Sequence, residues 1–381
     1  MQADFDLVII GGGCAGLSLG MYLAQLGHTA PQTLLLERRK YYENDRTWCF
    51  WGLDQALHTD LASNQWNQFK VQANEQSALI DCAFAPYQMI AAQNFYDHAQ
   101  GKISKNSRLD LRMNAALLAE PQFIEGRWRI QTQFGEVSAK GVVDTRPLSM
   151  TQLKNTKLWQ SFLGYELEIQ EELFDPEVAV LMDFCEKNAE YIGFNYLLPF
   201  SKTRALIEFT VFAERPFYED ELLIELTKAV EKYIPHTDFK IHRTEFGLIP
   251  MGLESQVSAK HGAIDKGYVH VGLTAGSARS ATGYAFQRIQ RWVQECTEAI
   301  QANGLPIAPS FDPFLLSTMD SIFLNVLREH PEFGPELFMN LFSKVEPHRL
   351  IRFLSDQGHL TDYVAVISAL PSTPFIKAIF K

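Results

Sequence analysis

The chain opens with Phe5-Asp-Leu-Val-Ile-Ile-Gly-Gly-Gly-Cys-Ala-Gly16, where an aliphatic run ends in the pattern Gly11-x-Gly13-x-x-Gly16. In a strand–turn–helix unit, Gly11 makes the tight turn and Gly13 lets the backbone approach a pyrophosphate, while Gly16 lets the helix pack close to the strand. The N-terminus of that helix offers free N–H groups and a positive dipole end to the phosphates. We therefore predict a strand, a glycine turn and a helix that continues to about Leu26.

A second apolar run, Thr33-Leu-Leu-Leu-Glu37, ends in a carboxylate. An acid in this position accepts hydrogen bonds from the ribose of a dinucleotide. A glycine triplet alone is a weak signal, and a glycine-rich turn that binds no ligand is the alternative. Strand, triplet, helix, strand and acid in this order predict a dinucleotide-binding βαβ unit.

The composition is that of a folded globular protein with an acidic net charge. The 381 residues predict two domains, or one domain with a helical extension. A net charge of −11 argues against binding to nucleic acid. The five cysteines lack CxxC spacing, so neither a metal site nor a disulfide framework is expected. Because the first strand begins without a signal sequence and no apolar run approaches about 18 residues, we expect a soluble or peripheral protein.

The order of predicted elements indicates a nucleotide-binding domain that is split by an inserted sheet. After the βαβ unit, residues 42–66 are predicted to be irregular and residues 86–100 to be helical. The run Gly141-Val-Val-Asp-Thr-Arg146 is predicted to be a buried strand that ends in polar residues, where a cofactor could sit. We assign residues 1–55, 85–155 and 262–305 to the nucleotide-binding domain, residues 56–84 and 156–261 to a substrate-binding β-sheet domain, and residues 306–381 to a C-terminal helical region that could face a membrane.

Six further motifs follow in order along the chain. They are Asn44-Asp-Arg-Thr-Trp-Cys-Phe-Trp51, Gln160-Ser-Phe-Leu-Gly-Tyr-Glu-Leu-Glu168, Leu181-Met-Asp-Phe184, Leu206-Ile-Glu-Phe-Thr210, Gly247-Leu-Ile-Pro-Met-Gly252 and Thr282-Gly-Tyr-Ala-Phe286. With the opening turn, they resemble motifs of the bacterial lycopene cyclase family of flavoproteins. In one departure, the family usually has Lys-Pro before the last motif, whereas this chain has Ala278-Arg279-Ser280-Ala281. Arg279 keeps a positive charge there, but the loss of proline loosens the turn.

The resemblance implies both a fold and an activity. The fold is of the mixed α/β (α+β) class: a Rossmann-like FAD-binding domain of the aromatic-hydroxylase and reductase type, an inserted antiparallel β-sheet for the substrate and a C-terminal helical region. The activity is that of a lycopene β-cyclase, an isomerase that needs reduced FAD, with NADPH or NADH as reductant. Such an enzyme protonates the end of a linear carotenoid, closes a ring through a carbocation and removes a proton. The expected partners are the carotenoid and a membrane surface, with the protein on the cytoplasmic, inner face of the cytoplasmic membrane.

The resemblance also implies site residues. Glu208 is the expected catalytic acid, in the motif Leu206–Thr210. The expected cofactor-binding residues are Gly11, Gly13, Cys14, Ala15, Gly16, Glu37, Arg46, Thr47, Trp48, Asp144, Gly272, Ala275, Gly276, Thr282, Gly283 and Tyr284. The residues expected to line the substrate chamber are Trp48, Phe50, Trp51, Phe194 and Tyr196, whose aromatic faces would stabilise a cation. Ordinary core packing is the alternative for each of these aromatic residues.

The chemistry places a demand on Glu208 that its surroundings can meet. A carboxyl group must be buried among apolar groups to stay protonated, because loss of hydration raises its pKa. Strand alternation puts Glu208 on one face with Leu206 and Thr210, and the intervening apolar residues on the other. The alternatives are a glutamate on a solvent-exposed face, or one that is paired with an arginine such as Arg204.

Several charged residues have more than one possible role. Arg46 could meet a phosphate, orient Glu208 or form a surface ion pair with Asp45. Asp183 and Glu245 are further carboxylates that could relay protons. In the C-terminal third, apolar residues alternate with cations and could lie at a lipid interface or, alternatively, form a helical bundle on the core. These apolar residues are Phe338, Leu341, Phe342, Leu350, Ile351, Phe353 and Leu354, interleaved with Lys344, His348, Arg349 and Arg352.

Three other functions fit the same scaffold. The first is an FAD- and NADPH-dependent monooxygenase, but such enzymes usually carry Gly-Asp where this chain has Val271-Gly-Leu-Thr274. The second is an isoprenoid double-bond reductase, which consumes electrons in each turnover. The third is a flavin- or polyene-binding protein without catalysis.

Overall fold

The opening motif folds as the sequence predicts. The computed structural model describes residues 3–53, 57–253, 266–372 and 374–375. Strand β1 (Ala3–Ile10) runs through the glycine turn into helix α1 (Cys14–Gln25), and strand β2 (Thr33–Leu36) returns parallel to β1. This βαβ unit places the N-terminus of α1 at the carboxyl end of β1, where ligands bind in open α/β sheets.

The first sheet is assembled from distant parts of the chain. Its order is β8-β2-β1-β11-β10-β9, and β17 also pairs with β11. The pairs among β8, β2, β1, β11 and β17 are parallel, whereas β9 and β10 add an antiparallel edge. Helix α1 packs with two later helices on one face. The added elements are β8 (Leu109–Arg112), β9 (Gln122–Ile124), β10 (Arg127–Thr132), β11 (Gly135–Asp144), β17 (Tyr268–His270), α2 (Ala92–Ile103) and α4 (Phe286–Asn303).

The second sheet lies between these parts in the chain and is mostly antiparallel. Its order is β16-β12-β15-β14-β13-β5-β6, and β5 pairs in parallel with β13. Helix α3 (Glu219–Tyr233) packs its apolar stripe on one face of this sheet. The strands are β5 (Gln68–Ala73), β6 (Gln76–Asp81), β12 (Leu158–Ile169), β13 (Val178–Phe184), β14 (Tyr191–Pro199), β15 (Arg204–Ala213) and β16 (Phe239–Met251).

A three-stranded sheet corrects two predictions. Strands β3 (Thr47–Trp51), β7 (Tyr87–Ala91) and β4 (Asn64–Trp66) pair in the order β3-β7-β4 within segments that were predicted to be irregular or helical. The predicted helix from residue 86 therefore begins only at Ala92, after β7. A short apolar run such as β7 fits the helical and the strand period equally well, so periodicity could not separate them.

The C-terminal region is helical, as the sequence predicts. Helices α5 (Phe314–Glu329), α6 (Gly334–Lys344), α7 (Pro347–Leu354) and α8 (Leu360–Ala369) pack against the second sheet, opposite α3. The apolar residues that could lie at a lipid interface or form a helical bundle are all buried in this packing, so the helical bundle on the core holds for them. Among the described residues, no helix is both long and apolar enough to cross a bilayer.

A buried cation ties these helices to the loop before α4. The Arg279 guanidinium donates two hydrogen bonds of 3.0 Å to the Asp320 carboxylate on α5 and one to the Phe353 carbonyl oxygen on α7. It also stacks 4.3 Å from the centre of the Phe353 ring. Arg279 is 1% exposed, so the ion pair is shielded from water. Removing one partner of such a pair leaves an uncompensated buried charge.

We predict that Arg279→Met lowers the free energy of unfolding by about 3–5 kcal/mol, because Asp320 then stays buried and unpaired. Urea unfolding followed by circular dichroism measures this loss. Lys202→Met, which removes a cation of the exposed Lys202–Glu172 pair, is the matched control and costs about 0–1 kcal/mol.

Adding Asp320→Leu to the Arg279→Met variant removes the unpaired charge and recovers much of the loss. Equal unfolding energies for Arg279→Met and Lys202→Met would contradict the assignment of a structural role to this pair.

Candidate functional site

One large cavity runs between the two main sheets. Its volume is about 1140 Å³, and it extends from the glycine turn, past the small sheet and across the second sheet, to helices α5–α8. Apolar and aromatic side chains dominate the wall on the side of the second sheet and the C-terminal helices. A cavity of this size and lining is typical of a cofactor or substrate site.

The glycine turn forms a cradle of the shape that a dinucleotide requires. Gly11 has a φ of 97°, which favours glycine, and a Cβ at Gly16 would overlap the Gly11 carbonyl oxygen. Gly13 has open space where a side chain would stand. Gly11, Gly13, Cys14 and Ala15 line the cavity. The residues present therefore fit a pyrophosphate at the N-terminus of α1.

Glu37 lies beside this cradle as an ionised carboxylate. It accepts hydrogen bonds of 2.7 Å from the backbone N–H groups of Gly12 and Arg39. Burial alone would raise the pKa of Glu37, but the Arg39 side chain and these two N–H donors lower it overall. An ionised acid that lines the cavity next to the turn suits a ribose hydroxyl.

The other predicted cofactor residues divide into two groups. Arg46, Thr47, Trp48, Gly272, Thr282, Gly283 and Tyr284 line the cavity. Gly16 lies beneath the turn, whereas Ala275, Gly276 and Asp144 do not reach the cavity wall.

Asp144 is the clearest correction in the second group. Its carboxylate pairs with Arg146 at 2.7 Å and accepts a 2.6 Å hydrogen bond from the Tyr268 hydroxyl. Burial would raise the pKa of Asp144, yet these partners lower it, so Asp144 binds neighbouring side chains at the end of β11. Its neighbours Thr145 and Arg146 line the cavity instead. The sequence alone does not show which of the polar residues at the end of a strand faces a cavity.

Glu208 faces the cavity, as strand alternation predicts. Leu206, Glu208, Thr210 and Phe212 of β15 line the cavity, while the residues between them pack against α3. Glu208 does not lie on a solvent-exposed face, because it is only 8% exposed. It is not paired with Arg204 either, because Arg204 pairs with Glu166. Within the described residues, the Glu208 carboxyl has no hydrogen-bond partner.

Burial raises the pKa of Glu208 well above its usual value, and the nearby charge of Glu245 raises it further. Arg243 acts in the opposite direction but does not outweigh these two effects. These surroundings therefore favour the protonated form of Glu208 at the wall of the apolar cavity.

Glu245 is the second carboxylate of the site, which the sequence suggested only as a possible proton relay. It accepts hydrogen bonds from the Thr47 backbone N–H at 2.9 Å, the Thr47 hydroxyl at 2.6 Å and the Arg243 guanidinium at 2.5 Å. Thr47 therefore holds Glu245, in addition to lining the cavity. Asp183, the other suggested relay, lies away from the cavity under α3, where Lys232 and Tyr233 each donate to it at 2.5 Å.

The predicted aromatic lining is largely found at the cavity wall. Trp48, Trp51, Phe194 and Tyr196 all line the cavity. Phe50 is a correction, because its ring stacks 5.4 Å from Phe286 in the core. Cys49 and Trp51, on the other side of β3, face the cavity, and Trp48, on the same side as Phe50, reaches it as well.

Three tyrosine hydroxyls and a thiol complete the polar part of the chamber. The Tyr87 hydroxyl lies 3.0 Å from that of Tyr196 and 3.4 Å from that of Tyr284. Burial raises the pKa of all three tyrosines and raises that of Cys49 to about 12. These groups are therefore neutral. Tyr87 and Cys49 escaped prediction because only the pairing of β3 with β7 brings them together.

Arg46 lies at the cavity wall, but it neither orients Glu208 nor forms an ion pair with Asp45. Its guanidinium donates to the Phe246 carbonyl oxygen at 2.7 Å and to the Asp45 carbonyl oxygen at 3.2 Å. The Asp45 carboxylate instead interacts with Arg39 and Tyr96. A contact of Arg46 with a phosphate stays a prediction.

Solved structures of low sequence identity share the fold. A flavin-dependent brominase, Bmp2, is 12% identical, with a TM-score of 0.64 and coverage of 96% of this chain and 98% of that one. A geranylgeranyl bacteriochlorophyll reductase-like protein from Thermoplasma acidophilum is 15% identical, with a TM-score of 0.59 and coverage of 97% and 96%. The predicted class of fold is thereby confirmed.

Sequence relatives identify the family. A lycopene beta-cyclase from Pseudescherichia vulneris is 24% identical over 290 residues, which are 74% of this chain and 70% of that protein. A lycopene beta-cyclase from Paracoccus sp. (strain N81106 / MBIC 01143) is 32% identical over 130 residues, about a third of either chain. The family model described as "Lycopene cyclase protein" matches residues 6–379, nearly the whole sequence. The chain therefore belongs to the lycopene cyclase family.

Proposed function

We propose that this protein is a lycopene β-cyclase-like isomerase that binds FAD and closes the ends of a linear carotenoid by acid catalysis. The observation that carries the proposal is the buried carboxyl group of Glu208 at the wall of an apolar, aromatic-lined cavity, which favours its protonated form. The same cavity continues into the dinucleotide cradle at Gly11–Ala15. Family membership and the names of the sequence relatives support the same reaction.

The residues of the cradle suit the parts of FAD. The N–H groups at the start of α1 would bind its pyrophosphate, Glu37 its ribose and Arg46 a phosphate oxygen. Gly272 and the segment Thr282–Tyr284 would lie beside its ring system. Reduced by NADPH or NADH, the bound flavin would supply a negative charge that stabilises a cation without consuming electrons in the reaction.

The protein groups would carry the proton and shield the cation. Glu208 donates its proton to a terminal double bond of the polyene, and the resulting cation closes the ring. The Glu208 carboxylate then takes a proton from that ring, which restores both the charge balance and the acid. The faces of Trp51 and Phe194 stabilise the cation by about 1 kcal/mol or more each when water is excluded. The hydroxyls of Tyr87, Tyr196 and Tyr284 are neutral, so they add no negative charge to this part of the cavity wall.

We predict that Glu208→Gln lowers the rate of ring formation by about 100-fold or more, because the amide has no acidic proton to donate. Lycopene would be incubated anaerobically with protein that contains reduced FAD, and the pigments separated and identified. Glu168→Gln, the same change at an exposed glutamate on β12, is the control and keeps the wild-type rate. Binding of the polyene survives in both variants.

The rate should also fall as the pH rises through the raised pKa of Glu208, because only the protonated acid is active. Ring formation without stoichiometric use of reductant supports an isomerase. Oxygen consumption would indicate the monooxygenase, and a saturated product would indicate the double-bond reductase. A wild-type rate of ring formation in Glu208→Gln would contradict the assignment of Glu208 as the acid.

We further propose that the protein binds the inner face of the cytoplasmic membrane through the outside of its C-terminal helices. Leu360, Val364 and Ile367 are spaced along one exposed face of α8, and Ile367 also lines the cavity although it is 54% exposed. Phe314 at the start of α5 is 86% exposed. An exposed apolar patch that is continuous with an apolar cavity fits the uptake of a water-insoluble polyene from lipid.

We predict that the triple variant Phe314→Ser, Leu360→Ser, Val364→Ser partitions at least about tenfold less onto phosphatidylethanolamine–phosphatidylglycerol vesicles, because less apolar surface enters the bilayer. Vesicle co-sedimentation measures this. The control is the triple variant Leu79→Ser, Phe134→Ser, Ile224→Ser, which changes exposed apolar residues elsewhere and leaves binding unaltered. Equal sedimentation of the two triple variants would rule out this surface.

A further inference from the structure

We propose that Glu245, a carboxylate held by Thr47 and Arg243 across Gly164 from Glu208, keeps the proton on Glu208 and so sets the pH range in which the acid is active. The inference deepens the proposed function and rests on Glu208 as the acid. It assigns Glu245 as a positioning residue, since it acts through Glu208.

The register of three strands brings the two carboxyl groups together. Gly164 on the middle strand β12 pairs with Glu208 on β15 and with Glu245 on β16. Residues paired in this way point to the same face of a sheet, and two strand spacings put their Cα atoms about 10 Å apart. Both glutamates accordingly line the same cavity.

Gly164 leaves the space between them free. A Cβ built on Gly164 would overlap the Cγ of Glu208, so the Glu208 side chain lies over the glycine. Any other residue at this position would displace Glu208. The absence of a side chain therefore lets the two carboxyl groups interact across the middle strand.

The hydrogen bonds of the two groups are opposite in kind. Glu245 accepts three bonds, two from Thr47 and one from Arg243, and donors of this kind stabilise the ionised form. Glu208 has no hydrogen-bond partner among the described residues. When two carboxyl groups share a region of low dielectric, they do not both ionise, and the one without donors keeps the proton.

The remaining groups around Glu208 do not provide a competing negative charge. Burial keeps four neighbouring groups neutral: Cys49 on β3, Tyr87 on β7, Tyr196 on β14 and Tyr284 in the loop before α4. Arg243 is a cation, but Glu166 on β12 and Glu245 both pair with it. In the described part of the chain, burial raises the proton affinity of Glu208 most, and Glu245 is the anion that raises it further.

Removing this anion should release the proton from Glu208 at lower pH. A charge at this distance shifts the titration by on the order of one pH unit. Glu245→Gln also leaves Arg243 less neutralised, which acts in the same direction. Glu166→Gln is the matched control, because it removes the other buried carboxylate that pairs with Arg243 but leaves Glu245 in place.

The direct test is an infrared titration of protonated carboxyl groups in the purified protein. Subtracting the spectra of Glu208→Gln, made in each background, isolates the signal of Glu208. We expect the midpoint in Glu245→Gln to lie lower than in wild type by on the order of one pH unit. In Glu166→Gln it should move by less than half as much. An unmoved midpoint in Glu245→Gln would overturn the inference.

Rate–pH profiles then separate this inference from the proposed function. The alkaline limb of ring formation should lie at lower pH in Glu245→Gln than in the wild type. If the limb stays in place while Glu208→Gln is inactive, Glu245 has no such role although the acid stands. If Glu208→Gln forms rings at the wild-type rate, the proposed function fails, and the infrared midpoint still tests the coupling between the carboxyl groups.

Thr47→Val provides a second variant in case Glu245→Gln does not fold. It removes one donor to the Glu245 carboxylate and leaves the charge of the residue available. Because the ionised form of Glu245 then loses support, Glu208 holds its proton less firmly, and its midpoint should fall by a smaller amount. A midpoint equal to that of wild type in this variant also counts against the inference.

Discussion

The burial of a carboxyl group that has no hydrogen-bond partner among residues 3–53, 57–253, 266–372 and 374–375 is the constraint on which the site depends. A folded protein normally pairs its buried polar groups, because leaving one unpaired costs about 1–3 kcal/mol. Glu208 stands against this rule, at the wall of an apolar cavity and next to a second carboxylate. The fold stabilises this arrangement elsewhere: the opposite face of β15 is fully apolar and packs against α3.

The position of Glu208 also depends on parts of the chain that are far apart in sequence. Glu245 comes from β16, and Thr47, which orients it, comes from β3, almost 200 residues earlier. The small sheet containing β3 lies between the dinucleotide cradle and the second sheet, and its residues line the cavity between them. The nucleotide end of the cavity and its acidic wall are therefore joined through β3.

The features that the sequence predicted correctly are those with a local cause. The glycine turn, the acid at Glu37 and the alternation around Glu208 each follow from the geometry of one strand or turn. The errors have non-local causes. Phe50 stacks on Phe286 and Asp144 accepts a hydrogen bond from Tyr268, and these partners lie too far away in the sequence to be visible in a local pattern. The sequence did not assign a role to Glu245, because its position near Glu208 depends on the pairing of β16 with Gly164 on β12.

The C-terminal helices show how an apolar pattern can have two uses. A helix that is apolar on most of its surface is usually buried, and the inner faces of α6 and α7 cover the second sheet in this way. Helix α8 differs, because Val366 faces the core whereas Leu360 and Val364 face outward. Arg279 fixes α5 and α7 to the loop that borders the cofactor cradle, so these helices form a wall that is anchored at its base. A hydrocarbon entering beside α8 would therefore meet a fixed apolar wall on one side and the sheet that carries Glu208 on the other.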